Sequence, residues 1–451
     1  MQNIIIDCHK FNNENRNMFV FTNINYMASS NEKANKALHS IETEIGNIIH
    51  SIKNRRPAEL TVDCTLPLSA EVNREGMLQR HSFLQKITGK QFPFLSGEEI
   101  GEPDRLNGNI ENYIGMSCVP TGVIGPLRII GSAANADFYV PLATSEGALL
   151  ASYHRGARAC FMAGGITSIC LMEGVQRSPL FKFENVGELG MFVSWLLPQE
   201  EKLKEITKQT SRFARLTCIQ IQIEGNHLIV TFEYQTGDAA GQNMVTICTD
   251  TICQYLIAHS PVKPKLWFVE GNYSGDKKAT ALSFTNVRGK KVTAEIVLPE
   301  TIVQQVLKTT PELMAEYWRS STMGIIQSGA IGAHGHYANG LAALFLATGQ
   351  DVACVAEAAT GITRMELNKD GSLYASVTLP NLMVGTVGGG THLSTQRECL
   401  EMMDCYGEGH ARKFAEICGG LVLAGELSIA AALSAGHFTH AHQKFGRKKS
   451  I

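Results

Sequence analysis

The chain has 451 residues, of which 44% are hydrophobic and 18% charged, and its formal net charge is −2. That length exceeds one simple core and implies two or three domains. The near-neutral balance leaves no electrostatic footprint for nucleic acid or an acidic membrane surface, and the low charged fraction suits a chain that loses surface to partner subunits.

Residues 1–35 are rich in Asn and read as a loosely ordered tail. Leu38, Ile41, Ile45, Ile48, Ile49 and Ile52 then recur at helical spacing, and Pro57 closes that helix. A second helical stretch is predicted from Glu71 to Ile87, so residues 36–115 form an N-terminal helical region. Val119 to Pro141 carries Gly, Pro and short β-like pieces. A helix is predicted to begin at Thr144 or Ser145, either of which suits an N-cap, which places Glu146 in its first turn. The small residues of ALLASYHRGARACFMAG allow that helix to pack closely on another.

Residues 179–268 read as a separate module. A helical stretch from Val186 to Thr207 precedes strands Arg215–Ile223 and Leu228–Tyr234, which are joined by the turn EGNH. A helix from about Ala239 to His259 and the strand-like KLWFVE follow. This order fits a small α+β insertion of ferredoxin-like type. Beyond it come a strand at Val292–Leu298, helices through Gly324 and a small-residue helical region around Ser328–Gly349. The strand SLYASVTLP, the glycine loop GTVGGGT, helices to Gly436 and a basic tail complete the order. Ile417 to Phe438 is the most membrane-like segment, but Glu426 interrupts it and small residues dominate, so it reads as a buried helix. The twelve cysteines are scattered without a C-x-x-C pair, and the first residues lack a signal-peptide core. Both point to a reduced, cytoplasmic protein.

The chain contains no P-loop, no G-x-G-x-x-G after a strand and no H-E-x-x-H. His437, His440 and His442 cluster without a Cys or acid at ligand spacing, so no metal site is expected. TGDAAGQNM (236–244) and GTVGGGT (385–391) would each let backbone N–H groups approach a pyrophosphate, although each also suits a plain turn at a helix start. SRFAR (211–215) offers arginines for a 2′-phosphate or a solvated strand edge. Asp276, Lys277 and Lys278 stand side by side in GNYSGDKKATA, where a buried ammonium would need a partner or a task.

Taken together, these stretches resemble the 3-hydroxy-3-methylglutaryl-CoA (HMG-CoA) reductase family. ENYIGMSCVPTGVIGPL, PLATSEGALLAS, TSRFARL, GDAAGQNM, GNYSGDKKA, GQDVA, GTVGGGTHL and AGELSIAAALSAGH follow in the family's order, over about residues 60 to 447. The resemblance implies an α+β fold. A large, mainly helical substrate-binding domain (116–178 and 269–436) would carry an inserted small ferredoxin-like cofactor-binding domain (179–268), with a C-terminal flap at 437–451. It implies two hydride transfers from NADPH that take HMG-CoA through mevaldehyde to mevalonate and CoA. The SRFAR stretch and the histidine-bearing C-terminal extension look like class I.

By the same resemblance Lys277 would stabilise the developing alkoxide, Glu146 would donate a proton, Asp351 would join them and His442 would protonate the departing thiolate. Ser152, Arg155, Arg177, Asp276, Lys278 and Asn339 would bind substrate, with Arg177 on its carboxylate. Ser211, Arg212, Asp238, Asn243, Gly388, Gly389, Thr391 and Arg447 would bind the cofactor. Active sites would be shared in a homodimer or homotetramer. Glu270 stands where many members have serine, and it is expected to face outward because it would repel the substrate carboxylate. The family's Asn-Arg-Ser becomes Gly446, Arg447 and Lys448, so the regulatory serine is missing at its usual offset. Rival readings are an NAD-dependent, mevalonate-degrading reductase of class II type, a catalytically dead acyl-CoA-binding subunit, and Schiff-base use of the lysine.

Overall fold

The computed structural model describes residues 73–76, 78, 79, 82, 86 and 106–436. From Arg74 onward the early described positions are helical, in line with the stretch read at 71–87. The tail, the Leu38–Ile52 helix and the flap lie outside the described residues.

Strands β1 (Thr121–Gly131) and β2 (Asn135–Ala143) form a hairpin, followed by helix α1 (Leu149–Met162) and the long strand β3 (Ile166–Arg177). Next come β4 (Leu180–Lys182), α2 (Val186–Leu196), α3 (Glu200–Thr210), β5 (Arg215–Glu224), β6 (His227–Gln235), α4 (Gln242–His259) and β7 (Leu266–Phe268). The chain continues through β8 (Gly289–Leu298), α5 (Pro311–Ser328), α6 (Tyr337–Thr348), β9 (Ile362–Leu367), β10 (Leu373–Leu382), α7 (Ser394–Met402) and α8 (Ala411–Ser434).

All ten strands among the described residues join one sheet, in the order β7-β4-β6-β3-β8-β10-β9, with β1 beside β3 and β5 on the free side of β6. Every pairing is antiparallel except β1 with β3. Strand β3 is the join. Its residues Thr167 to Gly174 pair with β8, and Val175 to Arg177 pair with β6. Along β8 the alternation is clean: Val292, Ala294, Ile296 and Leu298 are buried while Glu295 and Val297 are exposed. Period-two burial of this kind marks a sheet with one covered face.

Helix α8 supplies that cover. A Cβ on Gly419 would meet Val292, and one on Gly420 would meet Ile129, so glycines let the helix backbone lie close to the sheet. On its other side α1 crosses α8, and a Cβ at Gly156 would stand 1.8 Å from the Ala424 carbonyl oxygen. The close helix packing read from the small residues of α1 is thus present.

Four local expectations are corrected. The large region is less helical than expected, because β3 and β9 were not recognised and six strands form its sheet. Helix α1 begins at Leu149, not at Thr144 or Ser145, after Ala148 in the left-handed region at φ 70°. The Thr144 hydroxyl instead accepts the Glu146 N–H, so Glu146 belongs to a turn before the helix. The single stretch from Val186 to Thr207 is two helices with Pro198 at the joint, and residues 329–336 break the region read from Ser328 to Gly349.

Candidate active site

The Asp-Lys-Lys run lies in the loop between β7 and β8, and its three side chains take three directions. Lys277 has φ 56°, a left-handed conformation rare for a residue with a side chain. Asp276 turns inward, where it accepts from Arg177 Nη1 at 3.0 Å and from Arg288 Nη2. Burial pushes its carboxyl up, but Arg288 and Arg177 outweigh burial and hold it below the usual aspartate value. Lys277 Nζ lies 2.9 Å from Asp351 Oδ2, and this bond raises the ammonium above the ordinary lysine range. Lys278 is exposed, and its Nζ donates to the Asp276 carbonyl at 2.9 Å. One lysine therefore has a carboxylate partner at a cavity wall, and the other sits at the surface.

Arg177 is 6% exposed and stands among more carboxylates than its sequence reading allowed. Nη1 also donates to Glu270 at 3.3 Å, Nη2 donates to the Gln242 carbonyl at 3.3 Å, and Nε has no partner among the described residues. Glu270 does not face outward as expected. It turns onto Arg177 and also accepts from the Ser178 and Tyr273 N–H groups, because a buried guanidinium draws in counter-charge.

Glu146 lies elsewhere. Its carboxylate accepts from Asn339 Nδ2 at 3.2 and 3.0 Å. Both line a cavity of about 520 Å³ with Ser152, Arg155 and His336. Ser152 and Arg155 converge on Ser428 of α8: the Ser152 hydroxyl is 3.0 Å from its oxygen, and Arg155 donates to its hydroxyl and carbonyl. Lys277 and Asp351 line a second cavity, of about 580 Å³. Asn339 sits in the first turn of α6 and Asp351 just beyond its last. Twelve residues of helix span about 18 Å, so one chain holds the Glu146 and Lys277 pairs at opposite ends of a rod.

The second cavity also collects the two glycine-rich stretches. Thr386 N–H donates to the Asp238 carbonyl at 2.8 Å, and a Cβ on Gly385 would lie 2.5 Å from the Ala240 nitrogen. Gly388 and Gly389 have φ of 73° and 57° with open space where a Cβ would be. Helix α4 starts at the wall without a side-chain cap, and Asn243 in its first turn lines the cavity. Open glycine backbone beside an uncapped helix N-terminus suits an anionic group such as a pyrophosphate. Thr391 is buried and donates its hydroxyl to the Gly388 carbonyl.

Other assigned positions have scaffold contacts. Both Asp238 carboxylate oxygens accept from backbone, Gly409 N–H at 2.8 Å and Ala411 N–H at 3.0 Å, which ties the loop to the start of α8. Ser211 Oγ accepts from the Phe213 and Ala214 N–H groups. Arg212 is exposed, with its guanidinium 4.6 Å from the Phe213 ring centroid. His442 and Arg447 lie outside the described residues. Among the described residues no three His, Cys, Asp or Glu side chains gather as metal ligands would.

Sequence reasoning missed Arg288 and Glu357, buried and ion-paired beneath the Lys277 loop, and Gln242, which reaches Asp276 and Cys354. No spacing marks them, because Arg288 meets Glu357 across 69 residues and Gln242 meets Asp276 across 34. It also missed His336, although Glu426, its partner, had stood out as an acid in an apolar run.

Comparison with known proteins is consistent along the chain. The family profile described as Hydroxymethylglutaryl-coenzyme A reductase matches residues 76–447. The 3-hydroxy-3-methylglutaryl-coenzyme A reductase of Methanocaldococcus jannaschii is 43% identical over 373 residues, which is 82% of this chain and 92% of that one. The Pyrococcus horikoshii reductase is 42% identical over 82% of this chain and 91% of its own, and reductase 1 of Solanum tuberosum is 38% identical over 82% and 63%. A solved reductase of Streptococcus pneumoniae aligns with a TM-score of 0.60 at 18% identity, covering 80% of this chain and 94% of that one. A class II reductase from the same organism, solved bound to NADPH in open conformations, aligns at 0.58 and 20% identity over 72% and 78%. At those identities the two structures speak to the fold alone.

Proposed function

The chain belongs to the hydroxymethylglutaryl-coenzyme A reductase family and is an oxidoreductase, and from that premise we propose that it reduces HMG-CoA to mevalonate and CoA with NADPH, at a site built from two copies of the chain. The observation that carries the reading is the Lys277–Asp351 pair on the wall of the glycine-lined cavity. Bound NADPH supplies the hydride. The residues supply the rest.

Hydride arriving at a carbonyl carbon leaves negative charge on its oxygen, and a fixed cation in a shaped site stabilises that charge. Lys277 is that cation. Asp351 orients it and keeps it charged, so Lys277 serves as an electrostatic anchor rather than a Schiff-base nucleophile, which would need its pKa lowered. Arg177, Asp276 and Lys278 shape the acyl end, and Glu146 with Asn339 offers an acid–base group and its donor. Ser152 and Arg155 lie on the same wall and suit the CoA part. His442, in the C-terminal flap, would return a proton to the thiolate.

We infer that residues 179–268 form the cofactor unit and that it is ferredoxin-like. Its strand order β7-β4-β6-β5 and its alternation of strands and helices support this. Ser211 and Arg212 then face the 2′-phosphate, while Asp238, Asn243, Gly388, Gly389, Thr391 and Arg447 attend the remainder of the dinucleotide. The separation of Glu146 from Lys277 along α6 supports sharing of the site between copies, and the reduced cysteines support a cytoplasmic setting.

The test is loss of nicotinamide absorbance on adding HMG-CoA, with NADPH and NADH compared. Turnover with NADPH favoured is expected, and a strong preference for NADH would overturn the cofactor assignment. Lys277→Ala is expected to abolish turnover while leaving CoA binding measurable. Retained turnover in that variant would remove Lys277 from its role.

A further inference from the structure

Helix α8 is long and apolar enough to cross a membrane by composition, yet most of it is buried inside the protein, and it carries two buried glutamates. A bare carboxylate in such surroundings is strongly unfavourable, so each needs a set of donors. Glu416 uses its set on the scaffold. It accepts from the Ser132 hydroxyl and the N–H groups of Ala133, Ala134 and Cys170, which pins the β1–β2 turn to β3.

Glu426 differs because its partners lead into the Glu146 cavity. Oε2 accepts from Gly335 N–H at 2.7 Å and from the Thr363 hydroxyl at 2.8 Å. Oε1 accepts from the His336 N–H at 2.8 Å and lies 3.1 Å from the ring nitrogen Nδ1 of the same residue. Burial pushes this carboxyl up, and the His336 ring with the two N–H groups more than reverses the push. The His336 ring stacks on Tyr153 with centroids 5.3 Å apart, and both rings line the cavity with Glu146. With Nδ1 committed to a carboxylate, Nε2 is the ring nitrogen left for a partner in the cavity.

We propose that Glu426 is a positioning residue for acyl-CoA reduction, fixing the His336 ring so that Nε2 offers an oriented lone pair to a hydroxyl or amide N–H of the acyl-CoA. This rests on the reading that the Glu146 cavity holds the acyl-CoA. In the neutral ring the carboxylate sets the tautomer: a proton on Nε2 would point one acceptor at another, so the proton of the neutral ring sits on Nδ1 and Nε2 accepts. A donor on the acyl-CoA away from the reacting carbon is the same in ground and transition states, so its loss falls on KM rather than kcat.

The experiment measures kcat and KM for HMG-CoA in the wild type, His336→Phe, Glu426→Gln and the double variant. His336→Phe is expected to raise KM about ten-fold with kcat within about two-fold. Glu426→Gln is expected to raise KM similarly, and the double variant to be no worse than His336→Phe alone, since one residue acts through the other. An unchanged KM in His336→Phe, or losses that add in the double variant, overturns the proposal. Should Glu426→Gln fail to fold, the KM and kcat of His336→Phe decide alone. Titration of CoA onto His336→Phe places the donor within a supported proposal: weaker binding puts it in the pantetheine amides, unchanged binding in the acyl part. Glu146→Gln separates this proposal from the reading beneath it. An active Glu146→Gln sinks the cavity assignment, whereas an inactive one beside a normal KM in His336→Phe sinks only the role of Glu426.

Discussion

Asp276 shows how one carboxylate can hold a loop. It faces two arginines that are almost wholly buried, and neither could stay there unpaired. Asp276→Asn is expected to lower stability at neutral pH by about 2–3 kcal/mol, less than for a fully buried pair because the Asp276 side chain is 23% exposed. The pH dependence follows from its depressed carboxyl. Its contribution is complete above the unfolded aspartate value of about 3.9 and is lost as the pH falls through the lower folded value. Urea unfolding at pH 7 and near pH 3 checks this: the gap between wild type and variant should be wide at the first and close toward the second. A gap that stays constant would mean the charge of Asp276 is not what the arginines need. The adjacent Lys277 owes its direction to the same anchor, since Asp276 pulls inward while the left-handed backbone at Lys277 sends the next side chain to Asp351.

Helix α8 packs closely on its neighbours. Its glycines and alanines allow α1 and the sheet to approach on two sides, and its two glutamates tie distant turns to it. Gly156→Ala would drive a methyl into the Ala424 carbonyl, a backbone atom that cannot swing aside as a side-chain tip can. A loss of about 3 kcal/mol, the upper end for overpacking, is expected in thermal or urea unfolding. A variant as stable as the wild type would mean that α1 and α8 slide apart freely. Patterning along α8 could be read from sequence because small residues and Glu426 stand out in the apolar run from Ile417. The start of α1 could not, because Thr144 has two uses, a helix cap or a hydroxyl for the local turn, and the second won.

Across the whole molecule the governing fact is the distance along α6. Glu146 with Asn339 occupies one end and Lys277 with Asp351 the other, and under the proposed shared site a reaction needing both draws them from two chains. Mixing Lys277→Ala with Glu146→Gln subunits, each inactive alone, is expected to restore about a quarter of the wild-type specific activity after random exchange, because half the dimers are hybrids with one intact site of two. No recovery after demonstrated exchange would place the whole site within one chain and require a large movement of α6 or its neighbours.

Motif order along the chain was enough to identify the family and to nominate the candidate site residues, since glycine loops, an Asp-Lys-Lys run and an acid before a small-residue helix are local features that survive without a fold. Strand β3 was hidden because it serves two sheet neighbours and so lacks one steady alternation. The inward turn of Glu270, the pairing of Arg177 and Arg288 with Asp276 and the link from Glu426 to His336 were also out of reach. Each depends on which charges share a dry volume, and that is fixed only when segments up to a hundred residues apart are packed together.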